Sequence, residues 1–188
     1  MKKKIALVSG GYSKEDVVSF NSAKEIAVSV DPEKFEVYQV LINKQKWVYI
    51  EKSGSEYPID KNDFTTNVDG KLLKFDSVFI TIHGTPGEDG KLQGYFDMIN
   101  MPYTTSNAFT SSLTFNKVAT KRYLEAIGVK TAPYIFLREG DSYKPDKIIE
   151  QLKLPLFVKP NAGGSSFGVT KVKTIDELEH AIEKAFVE

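Results

Sequence analysis

Cysteine is absent from the 188 residues. That excludes a disulfide framework, a zinc ribbon, an iron–sulfur centre and a thiol nucleophile. Histidine is scarce: His83 and His180 are the only two, too few for a multi-histidine metal cluster. Net charge is also missing, with 25 Lys+Arg against 25 Asp+Glu, so no basic field exists to attract a nucleic-acid backbone. No apolar run approaches the ~20 residues of a membrane helix. The run Ile5 to Val8 behind Met1-Lys2-Lys3-Lys4 is too short for the core of a signal peptide. These absences predict a cytoplasmic, soluble chain with no nucleic-acid or membrane partner. What is present is an ordinary globular composition, 41% hydrophobic and 27% charged, at a length that buries roughly 70% of the extended surface.

Ile5-Ala6-Leu7-Val8 is an unbroken apolar run stopped by Ser9-Gly10-Gly11, as in a strand buried on both faces of a parallel sheet. Ser19 to Val30 reads as a helix ended by Asp31-Pro32, and Glu36 to Ile42 as a second strand. This strand–helix–strand opening predicts a doubly wound, Rossmann-like sheet with helices on both faces. Trp47 to Ile50 is strand-like. Residues 51–74 are polar and predict an accessory hairpin or insertion. Ser77 to Ile82 is a buried strand, 92–99 a short helix, and 101–104 a last short strand. Small polar residues from Thr104 to Ser112 mark a domain junction. Beyond it come a helix over 115–127, a strand over 134–137, a helix over 145–152 and strands over 154–158 and 169–172. A Thr174-x-x-Glu177 capping box precedes a terminal helix. The fold class is α/β, residues 1–104 forming the parallel-sheet domain and 105–188 a small α+β lobe.

Four strings could carry chemistry. The longest is Lys159-Pro160-Asn161-Ala162-Gly163-Gly164-Ser165-Ser166-Phe167-Gly168. Its glycines let a backbone approach a ligand and aim N–H groups at an anion, and two serine hydroxyls add donors. No Lys-Ser/Thr and no helix follow, so it is not a Walker loop; flanking strands make it a glycine-rich hairpin over phosphates. Lys159 ends an apolar strand, where a phosphate would partner the cation; a snorkelling lysine beside a flexible turn is the plainer alternative. The second string is His83-Gly84-Thr85-Pro86-Gly87-Glu88-Asp89-Gly90 with Gln93-Gly94. It starts where a buried strand stops, which is where ligands bind in open parallel sheets. His83 suits a hydrogen-bonding or electrostatic role, or that of a satisfied end-of-strand histidine. The third is Gly10-Gly11-Tyr12-Ser13-Lys14-Glu15, with Glu15 placed to hold an ammonium group or simply to complement a helix dipole. The fourth is Asn116-Lys117 with Lys121, which alone reads as a solvated helix face.

In this order the four strings resemble the D-alanine–D-alanine ligase family of the ATP-grasp superfamily. The resemblance is carried by Gly10-Gly11 with Ser13-x-Glu15-x-x-Val18-Ser19, by the His-Gly-x-x-Gly-Glu-Asp-Gly-x-x-Gln-Gly string at 83–94, by Pro102-Tyr103-Thr104, by Lys117 and Lys121, and by Val158 to Gly168. The His-Gly and Lys-Pro strings are the specific ones. The chain has Asp16 where the family usually has His or Arg, and Asn116 where it usually has Asp; residues 43–75 carry no motif that adds to the resemblance.

The resemblance implies a pre-ATP-grasp substrate domain at 1–104 and the first, central lobe of the ATP-grasp unit at 105–188, with the carboxy-terminal lobe missing. It implies an ATP-dependent ligase that joins two D-alanines through a D-alanyl phosphate, for peptidoglycan precursors. Glu15 matches the glutamate that holds the first D-alanine's ammonium, Ser165 the serine that orients it, and His83 the histidine near that substrate's carboxylate. Lys117 and Lys159 match lysines that bind ATP phosphates, with Gly164, Ser165 and Ser166 beside them. Mg²⁺ is implied, its ligands falling beyond Glu188, so no metal residue is assigned. Full-length relatives are homodimers. The 188-residue form is expected to be a truncated, inactive one. A sister ligase using D-lactate or D-serine second, or a non-catalytic two-domain binding module, are the alternatives.

Overall fold

The computed structural model of the chain describes residues 1–164 and 166–187. It forms two compact units, Met1–Leu113 and Thr114–Glu188.

The first unit begins β1 (Lys3–Gly10), α1 (Asp16–Ser29), β2 (Phe35–Ile42), β3 (Trp47–Ile50), β4 (Glu56–Asp60), β5 (Thr65–Val68), β6 (Lys71–Leu73), β7 (Ser77–Ile80) and α2 (Lys91–Met98). One seven-stranded sheet runs in the order β6-β5-β4-β3-β2-β1-β7. β1 pairs in parallel with β2 on one side and β7 on the other, Val8 lying opposite both Val40 and Ile80. That is the parallel part read from the apolar runs. Period-two alternation sends Ala6 and Val8 into a cluster with Val40, Ile42, Ile80, Phe64, Leu92 and Phe96. Leu7 is buried outside that cluster, as is Ala23 of α1, so both faces of β1 are covered. Its carboxyl end therefore opens onto the loop where Gly10 and Gly11 stand.

From β2 onward the sheet is antiparallel. The polar stretch expected to be an accessory hairpin or insertion continues the sheet as β4, β5 and β6. It looks loop-rich because an antiparallel strand needs only one apolar face. Ile59, Phe64, Leu73 and Phe75 supply that face. Asp69-Gly70 makes the two-residue turn between β5 and β6, with φ of 49° and 82°, the combination a tight hairpin demands. Aromatic rings fill this end edge to face: Phe64 and Phe96 are 5.0 Å apart at 83°. Burial pushes the hydroxyls of Tyr38 and Tyr95 up to about 12, so both remain protonated donors at neutral pH. Residues read as a junction carry α3 (Ala108–Phe115).

The second unit contains α4 (Lys117–Ala126), α5 (Pro145–Leu152), β8 (Leu156–Val158), β9 (Thr170–Val172), a 3₁₀ turn (Ile175–Glu177) and α6 (Leu178–Val187). β8 and β9 pair antiparallel, Leu156 opposite Val172 and Val158 opposite Thr170. Ile148, Leu156, Val172, Leu178, Ala181 and Ile182 form its core. The Glu177 carboxylate reaches back to accept from the amides of Lys173 (2.6 Å) and Thr174 (3.4 Å), which starts α6 as its capping pattern predicts. The strand expected over 134–137 is not formed. Its alternation is real, since Ile135 and Leu137 pack on the core while Tyr134 and Phe136 face Lys121 and Arg138. No ladder pairs with it among the described residues, and alternation without a partner strand is not a strand.

Candidate functional site

The first unit brings Glu15 and His83 together. Glu15 stands at the start of α1, where its carbonyl accepts from the amides of Val18 and Ser19. Its side chain is turned inward, the residue only 4% exposed. A buried carboxylate needs partners. Here Ser13 Oγ serves, 3.5 Å from Glu15 Oε2 and 3.3 Å from the Glu15 amide that donates to it. The same hydroxyl lies 3.3 Å from the carbonyl of His83. Ser13 thus ties the loop after β1 to the loop after β7. The amide of Tyr12 adds a second tie, donating to the Thr85 carbonyl at 2.9 Å. His83 is oriented by Ser22 of α1, whose Oγ is 3.3 Å from His83 Nε2.

Gly84 explains why the Glu15 carboxylate fits. Its φ is +70°, and a Cβ there would stand 2.5 Å from Glu15 Oε2 and 2.8 Å from Ser13 Oγ. The glycine is what lets the backbone pass so close to an acidic side chain. The rest of the loop closes on itself: the Gly84 amide donates to Glu88 Oε2 at 2.7 Å, and Thr85 Oγ1 to Asp89 Oδ2 at 2.6 Å. Fully buried Gln93 donates through Nε2 to the Gly87 carbonyl (2.6 Å) and to Thr105 Oγ1 (2.9 Å).

The second unit brings Lys117 and Lys159 to one cavity of about 690 Å³, also lined by Lys121, Tyr134, Phe136 and Phe157. Lys117 opens α4 and its ammonium donates to the Gly163 carbonyl at 2.8 Å. Asn161 holds the glycine–serine string against this helix: its carbonyl accepts from the Lys117 amide and its Oδ1 from the Val118 amide, both at 3.0 Å. Asn116 caps the next amide, Oδ1 accepting from Ala119 at 2.9 Å. Three first-turn amides are therefore already used. Among the described residues, Lys117, Lys121, Arg138 and Lys159 are the cations lining the cavity, whereas Gly164 and Ser166 are not among its lining residues. Lys159 is exposed, its Nζ 5.5 Å from the Phe157 ring centre. Beyond it, Gly164 accepts from the Phe167 amide (3.1 Å) and Ser166 from the Val169 amide (3.2 Å), with Ser166 at φ 62°. Ser165 lies outside the described residues.

Lys121 is not the solvated lysine that its helix position suggests. Its ammonium donates to the Ala132 carbonyl at 2.6 Å and sits 4.9 Å over the Tyr134 ring. Asn161, Ser13 and Gln93 lie inside the singled-out strings and Ser22 outside them; Asn161 pairs across 43 positions, Ser13 across 70 and Ser22 across 61, whereas Gln93 bonds Gly87 within its own string. Asn116 had a local signal, since asparagine before a helix is a favoured cap. Asn116→Ala is expected to cost about 1 kcal/mol of stability, read by urea unfolding, while Asn116→Asp keeps the cap. Equal stabilities for the alanine variant and the parent would contradict the capping assignment.

Residues 4–106 match a family described as D-ala D-ala ligase N-terminus, and residues 123–188 match D-ala D-ala ligase C-terminus. A D-alanine--D-alanine ligase of Parabacteroides distasonis is 50% identical over all 188 residues, which cover 57% of that relative. Among solved structures, the D-alanine-D-alanine ligase of Coxiella burnetii superposes with a TM-score of 0.89 at 30% identity, over 99% of this chain and 61% of its own. D-alanyl-alanine synthetase A of Vibrio cholerae gives 0.86 at 33% identity, over 99% and 56%. The chain thus spans less than two thirds of the length of these relatives.

Proposed function

This chain belongs to the D-alanine–D-alanine ligase family, and we propose that it supplies the first-substrate and ATP-phosphate elements of an ATP-dependent ligase joining two D-alanines. The supporting observation is Glu15: a buried carboxylate with hydroxyl and backbone neighbours, at the carboxyl end of a buried parallel strand. Such a group fits a substrate ammonium. His83, steadied by Ser22, would meet the same substrate's carboxylate. We assign the amino-terminal unit to that substrate and the following one to the nucleotide.

In this reading, a carboxylate oxygen of the first D-alanine attacks the γ-phosphorus of ATP. The new O–P bond forms as the bond to the β-phosphate oxygen breaks, giving D-alanyl phosphate and ADP. The amine of the second D-alanine then attacks the acyl carbon, loses a proton, and expels inorganic phosphate. Phosphoryl transfer needs positioning and charge rather than covalent help from the protein. Lys117 and Lys159 would offset phosphate charge, with Gly164, Ser165 and Ser166 following Lys159 in the same string, and Glu15 would orient the amino acid. A cavity of about 690 Å³ lined by lysines and aromatic side chains has the chemistry for a nucleotide. No group of three or more His, Cys, Asp or Glu side chains among the described residues could hold a metal. The residues present therefore do not fit a magnesium site, and no step here runs through one. The homodimer belongs to the same proposal, with light scattering as its check.

The deciding assay is ADP release by the protein from the complete reading frame, with Mg-ATP and either D- or L-alanine. Release with D-alanine alone is expected; release with neither sinks the proposal. The 188 residues by themselves are expected to release none.

A further inference from the structure

The loop carrying Glu15 leaves β1 through two glycines, which have no side chains to anchor it. The Gly11 amide donates to the Ile42 carbonyl at 2.8 Å. Tyr12 is the first residue with a grip. Its ring packs against the main core cluster, its amide donates to Thr85, and its hydroxyl accepts from Trp47 Nε1 at 3.3 Å. Trp47 is the chain's one tryptophan. It pairs with Ile42 in the β2–β3 ladder, so the indole and the Gly11 acceptor share one ladder rung. The ring is fixed edge-on by Tyr95 (5.4 Å, 87°) and Phe64 (6.4 Å, 77°), with the Lys61 ammonium 4.9 Å from its centre. Tyr95 completes the frame by donating to the Lys61 carbonyl at 2.9 Å. Every piece of this frame comes from the antiparallel extension or packs on it. Ser13 and Glu15 follow Tyr12 within three residues.

We propose that Tyr12 is a positioning residue for the ammonium-holding carboxylate, and that the antiparallel extension, through Trp47, is what holds it. The proposal rests on the first-substrate reading of Glu15. The hydroxyl touches no substrate; it sets where the loop lies, and with it Ser13 and Glu15.

The test is steady-state kinetics of the protein from the complete reading frame, for the parent, Tyr12→Phe, Trp47→Phe and the double variant, each with its melting temperature. Tyr12→Phe should raise the KM of the first D-alanine roughly fivefold, the worth of one hydrogen bond. Its kcat should barely move, and its melting temperature should fall by no more than a few degrees. Trp47→Phe should raise the same KM. The double variant should raise it no further than the larger single change, because both remove one interaction. An unchanged KM in Tyr12→Phe would overturn the proposal. So would additive effects, or a kcat loss in Tyr12→Phe with Trp47→Phe silent, which would put the hydroxyl on the substrate. A parent protein with no D-alanine-dependent turnover overturns the ligase reading and this proposal with it. That failure appears before any variant is made.

Discussion

Glu15→Gln should abolish most D-alanine-dependent turnover while leaving the fold intact. The substitution keeps the size of the side chain and its hydrogen bond with Ser13, and removes only the charge. In a buried site, taking away one member of an ion pair leaves the other cation desolvated and unmatched, at a cost of about 2–5 kcal/mol. Taking about 3 kcal/mol, kcat/KM falls roughly 150-fold. Stability should move in neither direction by much. The parent carries a carboxylate that is 4% exposed and has Ser13 as its side-chain hydrogen-bond partner, and neutralising it relieves a desolvation cost. Against that, the variant loses the attraction between a negative charge and the start of α1, about 0.3–1 kcal/mol. The two terms oppose each other, so the expected signature is a collapse in activity with a melting temperature close to the parent's. Turnover within threefold of the parent would remove Glu15 from the substrate site. A large drop in melting temperature would mean that the carboxylate serves the fold instead.

What the sequence disclosed and what it hid follow from one distinction. β1 and β7 were legible because an unbroken apolar run says how both faces of a strand are covered, and β2, interrupted by Gln39, through its β-branched and aromatic residues. β4 to β6 were legible only as an accessory hairpin or insertion, because a strand with one wet face looks like a polar loop; Lys52 to Ser55 reads as the turn before β4, and Asp69-Gly70 is the hairpin signal between β5 and β6. Residues 134–137 had the alternation of a strand but not the partner, and pairing is a property of the chain at long range. The same holds at the site. Glu15 and His83 stood out through their strings, yet the carboxylate's burial, the Ser13 link and the Ser22 contact depend on residues 60 to 70 positions apart. Tyr12 and Trp47, 35 positions apart, left no local trace at all. Lys121 shows the converse: helix periodicity placed it on a solvated face, and the Ala132 carbonyl and the Tyr134 ring claimed it.

Gly87→Ala is expected to be strongly destabilising. A Cβ at Gly87 would stand 2.4 Å from the Ile82 carbonyl oxygen and 2.6 Å from Ile82 Cβ. Neither atom is the end of a flexible chain; both belong to a buried residue just past β7. Relief requires the backbone to move, an overpacking cost of about 1–3 kcal/mol. The Gly87 carbonyl would move with it, and that carbonyl accepts from Gln93 Nε2. Gln93 is fully buried and its Oε1 already lacks a partner, so losing this bond adds roughly 1–3 kcal/mol more. A total near 3 kcal/mol corresponds to a fall of roughly 10 °C in melting temperature for a domain of this size. Gly84, three residues earlier, separates fold from function. There the φ of +70° costs an alanine about 1–2 kcal/mol, but the added methyl meets only Glu15 Oε2 and Ser13 Oγ closely, side-chain ends that can yield. Gly84→Ala should therefore keep more of the melting temperature than Gly87→Ala and lose more of the affinity for D-alanine, because the atom that yields is the carboxylate itself. Calorimetry and KM measured on both variants check the pair. If Gly84→Ala proves the less stable of the two, or binds D-alanine as the parent does, then the close approach of Gly84 to Glu15 is not what shapes the site.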